Sequence, residues 1–253
     1  MKKPVTRRKL LLGLGLATPA LILGGIGLAG KKGAGDALLG SGEWLSLQAR
    51  QLVGRKALAR EYRREDISAV FRPNGSTQPK TPQWVEDAGT GFETWQLQVG
   101  GKVKIPRAFS LAELRALPAR TQITRHDCVE GWSCIGQWTG VPLATVLGTV
   151  GLQSDARYIV FHCADKFGAW MYYESIDLID AFHPQTILAY EMNGAALPVR
   201  HGAPCRLRVE RQLGYKHAKF VMQIEAASSL SQFGDGKGGF WEDLSDYAWY
   251  AGI

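Results

Sequence analysis

A chain of 253 residues, 45% hydrophobic and 21% charged, has the composition of a globular protein and is long enough for one or two cores. Of its formal charge of +7, five positive charges (Lys2, Lys3, Arg7, Arg8 and Lys9) lie in residues 1–30, which contain no acid. That leaves +2 for everything else, too little for a nucleic-acid-binding surface, and no repeat period points to a solenoid or propeller.

Residues 1–30 read as an export signal. The pair Arg7-Arg8 precedes an apolar stretch rich in Gly and Ala, the pattern of the twin-arginine route, so the expected location is the periplasm. Leu10 to Gly30 is 21 residues without a charge, also long enough to span a bilayer, and an uncleaved signal would anchor the chain in the membrane. Residues 31–66 read as a linker and a basic helix. "KKGAGDALLGSG" at 31–42 is flexible in composition, and over 44–64 Leu45, Ala49, Leu52 and Val53 form a helical stripe with Arg50, Arg55 and Arg60 facing water. Residues 67–253 are the expected folded domain.

Within that domain, proline and glycine in "FRPNGSTQPKTPQW" (71–84) predict a long irregular loop, of a kind that often carries function. Trp95, Leu97 and Val99 alternate, Gly100-Gly101 turns, and Val103 and Ile105 alternate again, which predicts a β-hairpin. Ser110 and Glu113 form a capping box for a short helix that Pro118 ends. "TRHDCVEGWSCIGQW" (124–138) lacks clear periodicity and predicts a loop around Cys128. Pro142 opens a helix that Gly151 closes. Tyr158 to Phe161 is a buried strand, Asn193-Gly194 a hairpin turn, and Phe220, Met222 and Ile224 a last strand. Leu207 and Val209 alternate with Arg206 and Arg208, which predicts a half-exposed strand. Strands separated by short helices, without repeated βαβ units, give an α+β fold of mixed sheets.

Four cysteines, Cys128, Cys134, Cys163 and Cys205, match no disulfide framework, no zinc spacing and no c-type haem motif. Three readings of Cys128 remain open from residues alone. It is a metal-bound thiolate, a metal-free nucleophile of a hydrolase served by a histidine from elsewhere in the fold, or a plain buried thiol.

"HDCVEGWSCIGQWTGVPLATVL" resembles the segment that carries the metal-ligating cysteine in the sulfite oxidase family of molybdopterin enzymes, in particular the bacterial stand-alone catalytic subunits. The resemblance continues through "YYESIDL", "HPQTILAYEMNG", "HGAPCRLRVERQLGYKHAK" and "WEDLSDYAWYAGI", and covers most of 67–253. It implies a sulfite-oxidase-type molybdopterin-binding fold and one molybdenum–molybdopterin per chain, with no haem. Cys128 matches the metal ligand and catalytic position. Arg206 and Lys219 match residues that grip the cofactor, His201, His217 and Ala218 match neighbouring contacts, and Asn74 and Cys163 match further contacts near the metal and the pterin. A dianionic phosphate calls for such cations.

The arginine-rich run that follows the ligand cysteine in sulfite-oxidising relatives is replaced here by "VEGWS". Glu130 repels an anion and Trp132 offers an apolar wall, so a small uncharged S-oxide or N-oxide is the expected substrate and sulfite oxidation the alternative. Arg125, Arg200 and Arg211 are the cations that would reverse that reading if they entered the site. The resemblance also implies a separate redox partner, a membrane cytochrome, with the basic helix as one docking face.

Overall fold

Local chemistry sets most element boundaries in this chain, and two sheets then share what those elements bury. The computed structural model describes residues 57–253 and Leu45. The signal at 1–30, the linker at 31–42 and most of the basic helix fall outside them. Residues 57–253 belong to one compact unit.

Within the stretch expected as a basic helix, Leu45 is helical and the described end at 57–63 is not. Residues 57–63 run extended: Glu61 bridges Thr124, Tyr62 N donates to Ile123 O at 2.8 Å, and Ala59 exchanges two hydrogen bonds with the Gln185 side chain. These backbone groups find partners at residues 123–124 and on Gln185, while Ala49, Leu52 and Val53 of the stripe lie outside the described residues. The loop after Phe71 is irregular only as far as Thr81. Pro82 opens helix α1 (Pro82–Gly89), a position where its missing N–H costs nothing.

Strand β1 (Gln96–Gly101) pairs with β2 (Arg107–Ser110), so the predicted hairpin exists but returns later than expected. Val103 bridges Leu152 instead, and Ile105 is exposed. Ser110 Oγ accepts from Glu113 N and the Glu113 carboxylate from Ser110 N, capping α2 (Leu111–Ala116) as predicted. Next come β3 (Arg120–Cys128), β4 (Trp132–Pro142) and α3 (Leu143–Val150), which ends at Gly151 with φ 62°. β5 (Tyr158–Phe167) and β6 (Trp170–Asp177) form a long hairpin, and α4 (Leu178–Ala181) follows. β7 (Thr186–Met192) turns through Asn193 and Gly194, both at positive φ, into β8 (Ala195–Ala196). The chain ends with β9 (Arg206–Val209), β10 (Val221–Ala227) and α5 (Phe240–Ser245).

One sheet has the order β2-β1-β10-β5-β6, with β1 and β10 parallel; the other is β3-β4-β7-β8, with β9 also paired to β7. Leu97, Ile159 and Ile224 from the first sheet, Val141, Leu188 and Leu207 from the second, and α3 share one core. Gly140 is required where β4 meets β7, because a Cβ there would sit 2.1 Å from Leu188 O. The mixed α+β class is as the sequence predicts. Among the described residues no helix is long and apolar enough to cross a membrane.

Candidate active site

Cys128 is the last residue of a strand, where the sequence predicts a loop. It pairs with Trp132 across a turn of three residues that closes on Gly131 at φ 83°, with Gly131 N donating to Cys128 O at 3.0 Å. The periodicity of β3 is regular but hidden, because the buried face carries Gln122, Thr124, His126 and Cys128. Two of the inward polar groups answer to residues far along the chain, whereas Thr124 Oγ1 has no partner. Gln122 donates to Glu210 at 2.9 Å, and His126 Nδ1 lies 3.0 Å from an Arg208 nitrogen. Arg208 and Glu210 form a bidentate pair that is wholly buried.

A cleft of about 150 Å³ opens between the two sheets. Cys128, Val129 and Glu130 come from the β3–β4 hairpin, Asn74, Gly75 and Ser76 from the loop after Phe71, and Asp165, Phe167 and Tyr172 from β5 and β6. Gly214, Tyr215, His217 and Lys219 come from the connection between β9 and β10, and Trp241 and Tyr247 from the C-terminal segment. The aromatic wall is continuous: Tyr215 lies 5.0 Å from Tyr247, Tyr247 stacks on Trp241 at 6.0 Å, and Trp241 meets Phe167 at 5.6 Å. Buried Lys216 fastens this wall to the body. It donates to Glu174 of β6 and, at 2.6 Å, to Glu242 of α5.

Behind the cleft is a layer of cations. β9 is buried at every position, so Arg206 is not half-exposed as the alternation suggests. Its guanidinium donates to His201 O at 2.9 Å and His217 O at 3.3 Å and lies 4.9 Å over Trp138, while Nε has no partner. Burial, then the neighbouring Arg208, presses Arg206 well below its ordinary pKa. A guanidinium keeps its proton, so this pressure is relieved only by an anion. Lys219 reaches the carbonyls of Asn74 (2.5 Å), Ser76 and Arg200 (3.3 Å), and burial followed by Arg206 pushes it down to about 7. Gly202 at φ 112° makes the cluster possible, since a Cβ there would be 3.0 Å from Lys219 Cβ and 3.1 Å from Arg206 Cβ.

Three buried imidazoles complete the layer. His201 is pushed down to about 4 by burial and then Arg206, and His126 and His217 go well below 6.5 by burial and then Arg208. All three are therefore neutral donors or acceptors. His217 Nε2 is 3.0 Å from Gln212 O, its Nδ1 has no partner, and neither has His126 Nε2.

Of the residues singled out in the sequence, Asn74, Cys128, His217 and Lys219 line the cleft. Arg206, His201 and buried Ala218, whose carbonyl accepts from Leu207 N, lie in the layer behind it. Cys163 is not brought to the cleft; it sits in the hydrophobic core, its thiol pushed well up by burial. Arg125 pairs with Asp127 and Arg211 with Asp180, and neither these nor Arg200 lines the cleft. Asp165 and the aromatic wall escaped the sequence reading, because a tyrosine or tryptophan in a strand or near the chain's end reads as packing. The one available signal was the terminal "WEDLSDYAWYAGI", dense in aromatic residues.

Cys128 is 9% exposed, and burial raises its thiol above the ordinary range against hydrogen bonds from the Glu130 and Val129 backbones. Buried Arg206 with an orphaned N–H and no carboxylate bonded to it, imidazole nitrogens without partners and one strand-end thiol suit a phosphate-bearing cofactor whose metal takes a sulfur ligand.

Residues 83–232 match the oxidoreductase molybdopterin-binding domain. Among curated relatives, a protein of Azospira oryzae named "Putative protein-methionine-sulfoxide reductase subunit YedZ1" is 45% identical over 159 residues, which are 63% of this chain and 56% of that one. The protein-methionine-sulfoxide reductase catalytic subunit MsrP of Xanthomonas axonopodis pv. citri is 34% identical over 172 residues, 63% of this chain and 52% of its own. The chain thus spans about half the length of the curated relatives it matches. Among solved structures, the sulfane dehydrogenase SoxCD of Paracoccus pantotrophus superposes with a TM-score of 0.50 at 22% identity, over 54% of this chain and 39% of that one, a likeness of fold.

Proposed function

The chain belongs to the molybdopterin-binding oxidoreductases, and on that premise we propose that it reduces an uncharged S-oxide by oxygen-atom transfer at a molybdenum held by Cys128. The observation that carries this reading is the buried, under-compensated cation layer directly behind a cleft that Cys128 lines. Arg206, through its unpartnered Nε–H, and Lys219, through its charge, would hold the cofactor's anionic end, with neutral His201 and His217 as hydrogen-bonding neighbours. When bound, the cofactor supplies the two-electron oxygen-atom exchange.

The chain's own residues set the substrate. Glu130 faces the cleft, with its carboxylate held by Trp132 Nε1 at 3.0 Å, and it disfavours an anion such as sulfite. Phe167, Tyr172, Tyr215, Trp241 and Tyr247 offer apolar and ring-face contacts suited to a methyl–sulfur group. The relatives' names point the same way, to methionine sulfoxide within proteins. N-oxides share the same polarity and remain candidates.

A metal-free cysteine hydrolase is the weaker alternative. The Cys128 thiol is raised, not lowered, and among the described residues no hydrogen bond joins it to an imidazole. Electrons would come from a separate redox protein, for which a membrane cytochrome is the proposed partner. The proposed location is the periplasm, reached through the twin-arginine signal at residues 1–30.

The test is metal content and turnover together. Protein made in a strain competent in molybdopterin synthesis should carry one molybdenum per chain. With reduced viologen it should reduce peptide-bound methionine sulfoxide and dimethyl sulfoxide, and should not oxidise sulfite. Protein without molybdenum, or one that oxidises sulfite faster than it reduces any sulfoxide, would refute the proposal.

A further inference from the structure

β5 is irregular between His162 and Lys166, where its register with β6 slips. Asp165 lies within that irregularity, and the cleft is where its side chain goes. Bulges beside active sites re-aim side chains in this way. The residue is 3% exposed, and its Oδ1 is buried without a hydrogen-bond partner. A carboxylate accepts at both oxygens and would be poorly served here, whereas the neutral acid needs less and carries a proton. The nearest cation, Lys219, favours the carboxylate through its charge but makes no hydrogen bond to it. Lys219 has three N–H groups, and all three are taken by the carbonyls of Asn74, Ser76 and Arg200.

We propose that Asp165 is the acid of this cleft, giving a proton to the oxygen that is removed from the sulfoxide. This deepens the sulfoxide-reductase reading and rests on it. In the overall reaction the S–O bond breaks and sulfur keeps an electron pair. Two electrons enter from the separate redox protein, and the oxygen leaves as water after taking up two protons. Asp165 donates one of these, the other comes from solvent, and Asp165 is reprotonated from solvent through the cleft.

The other titratable groups facing the cleft fit this division of labour. Glu130 is exposed at the mouth, and His217 is neutral. Tyr172 donates its hydroxyl to Tyr215 O at 2.6 Å, and Tyr215 donates its own to Ala248 O at 2.6 Å. Lys219 donates to the three carbonyls and acts on Asp165 through its charge alone. Burial pushes the Asp165 carboxyl up to about 7, against the opposing charge of Lys219, so about half of it is protonated at neutrality and most of it below.

The experiment uses the holoenzyme with dimethyl sulfoxide and reduced viologen, comparing wild type with Asp165→Asn and Asp165→Glu. In the wild type, kcat should fall about tenfold per pH unit above roughly 7. In Asp165→Asn kcat should drop about 100- to 10,000-fold and lose that limb, with molybdenum content unchanged and KM within roughly threefold. Asp165→Glu should regain part of the rate. Independently of turnover, the infrared carbonyl band of a protonated buried carboxyl should be present in wild type at pH 6 and missing from Asp165→Asn. An unaltered pH limb in Asp165→Asn, or loss of molybdenum from it, overturns the assignment while leaving the reductase reading intact. A loaded wild type that reduces no sulfoxide overturns both.

Discussion

Replacing Arg206 with methionine tests whether the buried cation layer exists for a ligand or for the fold. The change deletes two charged hydrogen bonds to carbonyls, at 2.9 Å and 3.3 Å, and a guanidinium seated 4.9 Å over Trp138. Such bonds are each worth about 1.5–3 kcal/mol, and the ring contact about 0.5–2 kcal/mol. Against this, removing the guanidinium spares the desolvation of a fully buried ion, a saving of several kcal/mol, and methionine fills much of the vacated volume. The two sides nearly cancel. The protein without cofactor should therefore unfold in urea within about 2 kcal/mol of wild type. For cofactor binding nothing cancels, because an anion that loses its buried cationic partner forfeits about 2–5 kcal/mol, or roughly thirty- to four-thousand-fold in affinity. The assay pairs urea titration of protein made without molybdopterin synthesis with molybdenum retained after gel filtration of the loaded protein. A variant weakened by more than about 4 kcal/mol that still keeps its full molybdenum would show that Arg206 serves the strand and would refute the ligand argument.

Cys128→Ser should keep its cofactor through Arg206 and Lys219 yet lose most activity per bound molybdenum, because an alkoxide is a harder donor than a thiolate; equal activity per metal would refute the ligand assignment. In cofactor-free protein, the Asp165 carboxyl is raised from 3.8 to about 7, so its protonated form stabilises the fold below pH 4 and that contribution is lost as pH rises through 7. Asp165→Asn should accordingly match wild type near pH 4 and exceed it by up to about 4 kcal/mol at pH 8, and a difference that does not change with pH would contradict the placement. Gly140→Ala puts a Cβ against Leu188 O and Ala189 Cα, backbone that cannot step aside. It should cost about 3 kcal/mol or more by urea titration, with wild-type stability the contrary result.

What was legible in the sequence was chemistry that acts locally. The Ser110–Glu113 box, the Gly151 cap and the Asn193-Gly194 turn each need only neighbours in the chain, and each is where the sequence places it. β3 was illegible because its inward face is polar, and two of its groups, Gln122 and His126, answer to Glu210 and Arg208, more than 80 residues away. The same distance hid the burial of Arg206, whose alternation with apolar neighbours is what a half-wet strand would show. The expected helix does not extend over residues 57–63, because β3 and Gln185 offer partners to those backbone groups. Residues in the cleft that resemble known cofactor contacts could be picked out, whereas Asp165 depends on a strand irregularity that leaves no mark in the sequence.

The extended segment at 59–62 has a consequence beyond its few hydrogen bonds. β3 ends its sheet, and a bare sheet edge is a template for pairing with another molecule. Tyr62 occupies the backbone of Ile123, Glu61 pairs with the Arg120 side chain, and Gln185 holds Ala59 from behind. The segment works as a selvedge, a narrow finished border that keeps the weave from catching on its neighbour. Proteolytic trimming that stops before residue 57 leaves this border whole. A cut near residue 66, where composition alone would draw the domain's start, strips it from the strand that ends at Cys128, and self-association along that edge is the expected fate of the trimmed protein.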